Sequence, residues 1–146
     1  MDLKLYSRYR NSAGQRVRTA LNIKNIPYEY IVVETVGIDD GVPHTPNSIS
    51  KENYSLINPQ GLMPTLVIDG EGVVQSTALV EFIEDAFKGP SLLPKNLVSR
   101  ARSRAFGQII ACEMHAVGVR RVRRNLMEKH GFSKEELNDS EDYVRE

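Results

Sequence analysis

The sequence predicts a mixed α/β domain followed by an all-helical region, and three observations lead to this class. Short runs of β-branched and aromatic residues alternate with helical patterns before Pro90. Proline is absent from Leu97 to Lys129, where apolar residues recur in steps of three or four. The single cysteine, Cys112, excludes a disulfide framework and a cysteine-rich zinc site. We therefore expect a mixed four-stranded sheet with helices on both faces, then a helical region without a metal.

The composition narrows the class of protein and its partners. A chain of 146 residues is one ordinary domain, or a small domain with part of a second. Hydrophobic residues at 40% and charged residues at 26% are typical of a globular protein. Basic and acidic residues number 19 each, so the zero net charge excludes a global basic field for nucleic acid. No apolar run is long enough to span a bilayer, and the N-terminus lacks a signal-peptide pattern, so we expect a cytosolic protein without membrane partners.

The first half of the α/β region has the pattern of a parallel βαβ unit. Leu3 and Leu5 alternate with polar residues and predict the first strand. A helix should begin near Ser12 or Ala13, with Asn11 or Ser12 as its N-cap. It should end before Pro27, and residues 28–33 predict the second strand.

The second half predicts an antiparallel hairpin and a covering helix. After a loop over residues 34–48, Ser50 caps a short helix that reaches Leu56. A strand over residues 62–68 is interrupted by Pro64, and Asp69-Gly70-Glu71-Gly72 is a hairpin signal. Its partner strand leads into a helix capped by Ser76, so the element order is βαβ-α-ββα.

The helical region begins after a linker that spans Pro90 to Pro94. The apolar pattern from Leu97 to Lys129 predicts one long helix, or two with a break near Gly118. Ser133-Lys134-Glu135-Glu136 is a capping box that should open a further helix. Residues 139–144 have the pattern of another helix N-terminus, and there the sequence ends.

Three segments carry a family resemblance: LYSRYRNSAGQRVRTALNIKNIPYEY, NPQGLMPTL and VVQSTALVEFIED. The chain resembles the zeta-type glutathione transferases, which are maleylacetoacetate and maleylpyruvate isomerases. The stretch ACEMHAVGVRR is similar to the family's fourth helix. The resemblance implies a thioredoxin-like, glutathione-binding domain over residues 1–87 and an incomplete all-α domain over residues 92–146. It also implies a homodimer, and a chain truncated at its C-terminus because family members continue well beyond Glu146.

Four residues are candidates for binding glutathione: Met63, Pro64, Gln75 and Ser76. A proline inside a strand marks an edge or a bulge, and the sequence by itself leaves its cis or trans state open. The resemblance implies a cis proline, with the backbone of Met63 presented to the cysteinyl part of glutathione. Ser76 begins a helix, where free N–H groups favour an anion such as the γ-glutamyl carboxylate, although a plain N-cap is the alternative.

Asn11 and Ser12 are the catalytic candidates. A thiolate near the N-terminus of the first helix would be stabilised by backbone N–H groups and a hydroxyl, and Ser12 supplies the hydroxyl. The family's Ser-Ser-Cys pattern is matched here by Asn11, Ser12 and Ala13, so the cysteine is lost. A helix cap is the alternative role for Ser12.

Arginine and histidine are the candidates for an acidic substrate, because arginine pairs with carboxylates in bidentate fashion. The resemblance points to His115, Arg120 and Arg121, while Arg10 precedes the first helix. A core histidine and a solvated loop arginine are the alternative roles. For Arg123 and Arg124 we expect a solvated face. Arg16 and Arg18 lie on different faces of their helix, so at most one of them could join an anion site, and for Arg16 we expect a structural ion pair instead.

The function that follows from the resemblance is a glutathione-dependent cis–trans isomerase of an unsaturated diketo acid. Glutathione is the expected cofactor, and a small acidic molecule is the expected substrate. Two alternatives stay open. One is a conjugating or dehalogenating glutathione transferase, and the other is a truncated relative without catalytic activity.

Overall fold

The structure, a computed structural model, describes residues 1–34 and 47–138. The chain divides into two compact units, Met1–Leu92 and Leu93–Glu146. Most of the loop predicted over residues 34–48, and the helix start predicted over residues 139–144, lie outside the described residues.

A mixed sheet forms the centre of the first unit. Strand β1 pairs in parallel with β2 and antiparallel with β4, and β4 pairs antiparallel with β5. The order across the sheet is β3-β2-β1-β4-β5. The elements of this unit are β1 (Leu3–Ser7), α1 (Ser12–Ile23), β2 (Glu29–Val33), β3 (Ser48–Ile49), α2 (Lys51–Ile57), β4 (Thr65–Ile68), β5 (Glu71–Val74) and α3 (Ser76–Ala86).

The four predicted strands are present, and the structure adds a fifth. Strand β3 consists of Ser48 and Ile49 and pairs in parallel with Val32 and Val33 of β2. Two residues are too few to produce an alternating pattern in the sequence. The strand exists because β2 offers an unpaired edge, which is a tertiary cause that local sequence does not contain.

One face of the sheet is covered by α1 and α3. Leu5 of β1 and Leu66 of β4 are fully buried there against Val17 of α1 and Ile83 of α3. The opposite face holds a smaller cluster, in which Tyr54 of α2 stacks on Tyr6 with the ring centroids 6.1 Å apart. Helices therefore lie on both faces of the sheet, as predicted.

A buried ion pair joins the ends of the two helices on the first face. Lys24 Nζ lies 2.9 Å from Glu84 Oε2, and the two side chains are 2% and 8% exposed. Hydrogen bonds from the Leu92 backbone N–H, the Ser91 hydroxyl and Lys24 lower the pKa of Glu84 to about 2. The Lys24 ammonium also donates to the carbonyl of Phe87, so this cluster fixes the segment that follows α3.

The second unit consists of helices that are mostly exposed. The predicted break near Gly118 is confirmed, because Val119 is extended with ψ at 143°. The capping box is also confirmed: Ser133 Oγ accepts from the backbone N–H of Glu136, whose carboxylate accepts from the backbone N–H of Ser133. The elements are α4 (Leu97–Gln108), a π-helical stretch (Ile109–Met114), α5 (His115–Gly118), α6 (Arg120–His130) and a helical turn over residues 134–138.

Among residues 1–34 and 47–138, no helix has both the length and the apolar character that crossing a membrane requires.

Candidate functional site

Three segments of the first unit meet at one edge of the sheet. The register pairs Tyr6 of β1 with Thr65 of β4, and Thr65 with Val74 of β5. Because β4 runs antiparallel to both neighbours, its start lies beside the ends of β1 and β5. The loop before α1, the Met63–Pro64 segment and the start of α3 are therefore brought together. Asn11, Ser12, Met63, Pro64, Gln75 and Ser76 all lie on these segments.

Asn11 is the N-cap of α1, and Ser12 is the first helical residue. The side-chain oxygen of Asn11 accepts from the backbone N–H of Gly14 at 2.6 Å, and its carbonyl accepts from Gln15 N at 2.8 Å. Ser12 is exposed at the end of the helix where the dipole is positive. Since Asn11 does the capping, the Ser12 hydroxyl does not supply the cap.

Gly14 lets α1 approach the end of β1 closely. A Cβ added at Gly14 would collide with the Ser7 hydroxyl and would lie 3.0 Å from Asn11 Oδ1. Ser7 is fully buried at that point. The absence of a side chain at Gly14 thus sets the position of the helix N-terminus relative to the sheet.

The Met63–Pro64 peptide bond is cis, as the resemblance implies. Pro64 is buried at the start of β4, and Met63 is half-buried. A closed ring of hydrogen bonds fixes the carbonyl of Leu62, the residue before Met63. Tyr54 Oη donates to Leu62 O at 2.6 Å, and Asn58 Nδ2 donates to the same oxygen at 2.7 Å.

Thr65 completes this ring. Its hydroxyl lies 2.7 Å from Tyr54 Oη and accepts from Asn58 Nδ2 at 3.1 Å. Because the Tyr54 hydrogen is given to Leu62, Thr65 must donate to Tyr54, and every polar atom of the ring is satisfied. A buried, fully satisfied network of this kind is rigid. Local sequence patterns did not indicate Tyr54 or Asn58 as positioning residues, although Asn58 lies in the NPQGLMPTL segment.

Gln75 has a backbone conformation that non-glycine residues rarely adopt. Its φ is 72° and its ψ is 107°, and it occupies the N-cap position of α3. Such a conformation costs on the order of 1–3 kcal/mol and is concentrated at ligand sites. The prediction that Ser76 caps α3 was wrong: Ser76 is the first helical residue, and Gln75 gives no side-chain cap. The N–H groups at this end are therefore not occupied by a capping side chain.

Ser76 is buried and accepts a hydrogen bond from α1. Arg16 Nη1 donates to Ser76 Oγ at 2.9 Å. The expected ion pair of Arg16 was wrong, because no acidic residue in the described part of the chain pairs with its guanidinium. The reason is the position of Arg16 on the α1 face that meets α3, where the nearest polar group is a hydroxyl.

Arg18 braces the loop that precedes α1. Its Nη2 donates to the carbonyl of Tyr9 at 3.0 Å, and its guanidinium lies 5.3 Å from the centroid of the Tyr9 ring and 5.6 Å from that of Tyr30. Arg18 also opposes the rise that burial causes in the pKa of Tyr28. Arg10, on the same loop, is exposed and has no hydrogen bond or ion pair with residues 1–34 or 47–138.

The remaining candidates lie in the second unit. His115 is the half-buried first residue of α5, and Arg120 and Arg121 begin α6, where Arg121 is exposed. Arg124 is exposed and lies 3.8 Å from Glu128, as a solvated face predicts. Arg123 departs from that prediction, because it is half-buried and donates to Asn138 Oδ1 at 2.9 Å.

The described residues contain no cluster of histidine, cysteine and acidic side chains suited to a metal ion. At the sheet edge the polar groups are hydroxyls, side-chain amides, backbone N–H groups and guanidinium groups. Such a set binds anions and stabilises a thiolate, and it contains no group that would act as a strong base.

The family model for the glutathione S-transferase N-terminal domain matches residues 12–86. The chain therefore belongs to the glutathione S-transferase family, and its first unit is the thioredoxin-like domain of that family.

Within the family, the chain is similar to proteins with a defined isomerase activity. It is 32% identical to a maleylpyruvate isomerase from Ralstonia sp. over 93% of its own length. It is 34% identical to a maleylacetoacetate isomerase from Pseudomonas aeruginosa over 92% of its length. The chain spans 60% of the length of each of these two relatives. The chain is also similar to a crystal structure of a maleylacetoacetate isomerase from Methylobacterium extorquens AM1, which contains bound malonate and glutathione. The two superpose with a TM-score of 0.79 at 37% identity, and the match covers 97% of this chain and 62% of that one.

Proposed function

We propose that this protein is a glutathione-dependent cis–trans isomerase of an unsaturated diketo acid such as maleylacetoacetate or maleylpyruvate. The observation that carries the proposal is the similarity to proteins named as isomerases over more than nine-tenths of the chain. Residues 1–87 would be the glutathione-binding domain, and residues 92–146 part of a helical domain.

The residues at the sheet edge fit glutathione. The buried Ser76 hydroxyl, the uncapped N-terminus of α3 and the Arg16 guanidinium suit its γ-glutamyl carboxylate. The backbone of Met63 has groups suited to the cysteinyl part. When bound, glutathione supplies a thiolate that adds reversibly to the conjugated double bond of the substrate. Bond rotation and loss of the thiolate then give the trans isomer.

The N-terminus of α1 would lower the pKa of that thiol. Backbone N–H groups and the positive end of the helix dipole stabilise a thiolate there. Asn11 satisfies the N–H of Gly14, and Ser12, exposed at this end of the helix, is the residue whose hydroxyl would donate to sulfur. No protein cysteine is needed, since the thiol comes from glutathione, and Ala13 at the family's cysteine position is compatible with the proposal.

Arginine and histidine would hold the acidic substrate and stabilise the charge that develops on its carbonyl oxygen. Arg10 is the candidate in the first unit, and it has no partner among the described residues. His115, Arg120 and Arg121 are the candidates in the second unit. The malonate in the Methylobacterium extorquens structure is a small dicarboxylate, the same chemical class as the proposed substrate.

The proposal is tested by an isomerase assay on the chain with glutathione present and absent. We expect conversion of maleylacetoacetate or maleylpyruvate to the trans isomer only when glutathione is present. Conjugation of an aryl halide with no activity on either diketo acid would favour a general transferase instead. Failure of the chain to bind immobilised glutathione would favour a relative without catalytic activity.

The Ser12→Ala variant separates catalysis from binding. Without a hydroxyl donor to the thiolate, turnover should fall by about 10²-fold while glutathione affinity changes little. An equal loss of turnover and affinity would mean that Ser12 only binds. The exposed Ser99, on α4 of the second unit, offers a control, because Ser99→Ala also removes a single hydroxyl.

A homodimer and a cytoplasmic location are further parts of the proposal. The homodimer comes from the family resemblance, and the cytoplasmic location comes from the sequence. Light scattering coupled to size exclusion measures the first, and cell fractionation the second.

A further inference from the structure

We infer that Arg16 is a positioning residue for the glutathione site: it orients the Ser76 hydroxyl and adds positive charge where the γ-glutamyl carboxylate binds. The inference rests on the proposed function, since it concerns how this site holds glutathione. It follows from a contact between residues 60 positions apart, which joins α1 to α3.

The inference depends first on the direction of the hydrogen bond between Arg16 and Ser76. A serine hydroxyl has one hydrogen to donate and two lone pairs to accept. Arg16 Nη1 donates to Ser76 Oγ at 2.9 Å, so one lone pair is occupied and the Ser76 hydrogen is left to donate. None of the described residues accepts that hydrogen. Because Arg16 approaches from α1, it restricts the rotation of the hydroxyl.

The inference depends second on the positive charge of the Arg16 guanidinium. Its side chain is half-buried and has no acidic partner among residues 1–34 and 47–138. The N-terminus of α3, which begins at Ser76, adds the positive end of a helix dipole at the same place. Two positive features without a compensating anion repel each other, and a bound carboxylate would attract both and offset this repulsion.

The neighbouring arginine shows that the role belongs to Arg16. Arg18, two residues along α1, donates instead to the carbonyl of Tyr9. The two guanidinium groups are therefore divided between the two sides of the sheet-edge site. Arg16 acts at the start of α3, and Arg18 acts at the loop before α1.

The experiment is a calorimetric titration of glutathione into the wild-type chain and into Arg16→Met, Ser76→Ala and the double variant. We expect each single variant to raise Kd about tenfold. The double variant should lose less affinity than the two single losses combined, because the orientation of the Ser76 hydroxyl by Arg16 is lost in both single variants. Arg102→Met, an exposed arginine of α4, is the matched control and should leave Kd unchanged.

Four readouts separate positioning from a purely structural role. The loss in Arg16→Met should shrink at high salt, since part of it is ionic. It should persist with γ-glutamylcysteine and disappear with cysteinylglycine, which lacks the γ-glutamyl group. The Arg16→Met substitution should raise KM for glutathione and leave kcat little changed. Arg16→Lys should recover part of the affinity. Circular dichroism of each variant checks that it is folded.

The outcomes distinguish the inference from the proposed function. If wild-type protein binds glutathione and Arg16→Met and Arg16→Lys bind it equally well, the inference is wrong and the proposed function stands. Fully additive effects in the double variant, or an equal loss with cysteinylglycine, would also overturn the inference. If the wild-type chain itself does not bind glutathione, both are wrong.

Discussion

The two units of this protein differ in how their side chains are packed. Every buried hydrophobic residue in the described part of the chain lies in the first unit, except Leu137. In α4, by contrast, Leu97 is 79% exposed and Phe106 is 66% exposed. The polar groups follow the same division, since the Lys24–Glu84 pair is buried and the Arg124–Glu128 pair is exposed.

This difference indicates which part of the proposed active site is held rigidly. The sheet-edge site is supported by a packed core, by the ring of hydrogen bonds around Tyr54 and by the contact between Arg16 and Ser76. His115, Arg120 and Arg121 lie in the unit without such a core among its described residues. Glutathione binding should therefore depend on the first unit, and substitutions there should cost more than matched substitutions in the second.

The largest difference should come from the ion pairs. Lys24→Met leaves the buried Glu84 carboxylate without its cation and should lower the free energy of unfolding by about 4 kcal/mol. Arg124→Met breaks an exposed pair and should cost less than about 0.5 kcal/mol. Urea unfolding measures both. Similar costs in the two variants would show that the Lys24–Glu84 cluster is not buried in solution.

Leucine provides the second matched pair. Leu79 of α3 is fully buried, so Leu79→Ala should cost about 3 kcal/mol through lost burial and a cavity. Leu97 is largely exposed, and Leu97→Ala should change the free energy of unfolding by less than about 0.5 kcal/mol. Thermal and urea unfolding give both values. A large cost for Leu97→Ala would contradict the exposure of α4.

The pH dependence of stability should follow Glu84. Its pKa is about 2 in the folded chain, below the ordinary value of 4.5. Because the pKa of Glu84 is lower in the folded chain than in the unfolded chain, the ionised carboxylate contributes to the free energy of unfolding. This contribution is complete above about pH 4.5 and is lost as the pH falls through 2. Glu84→Gln should be less stable at pH 6 and should lose less stability between pH 6 and pH 3 than wild type does. Parallel curves for the two proteins would exclude Glu84 as a source of acid sensitivity.

The two glycine substitutions should have smaller individual effects than Lys24→Met and Leu79→Ala, and these effects have opposite signs. Gly14→Ala forces a Cβ against the Ser7 hydroxyl and should destabilise the protein by about 2 kcal/mol. Gly107 lies in α4 with no atom within 4 Å of an added Cβ, so Gly107→Ala should stabilise by up to about 1 kcal/mol. Differential scanning calorimetry detects both changes. Equal signs would mean that the close approach of α1 to β1 is not as described.

Local patterns predicted most of the fold. The alternation at Leu3 and Leu5, the hairpin signal at residues 69–72 and the capping box at Ser133 each depend on neighbours in the chain, and the structure has each of them. The two-residue strand β3 and the π-helical stretch were not predicted, because the first depends on the edge of β2 and the second leaves no periodic signal.

The site was predicted less completely than the fold. The family segments indicated Met63, Pro64, Gln75 and Ser76, and the register places them at one edge. The contact between Arg16 and Ser76 was missed because it joins residues 60 positions apart, and an ion pair was expected instead. The ring of Tyr54, Asn58 and Thr65 was missed for the same reason: its geometry exists only after α2 packs on the sheet.

The most direct test of this account follows the backbone amide signals of the ¹⁵N-labelled chain by NMR during a glutathione titration. We predict saturable shifts at Ser12, Met63 and Ser76, which lie on the three segments of the sheet edge, and unchanged signals over Leu97–Gln108. Shifts confined to the second unit, or no saturable shifts at all, would contradict the claim that the first unit carries the glutathione site.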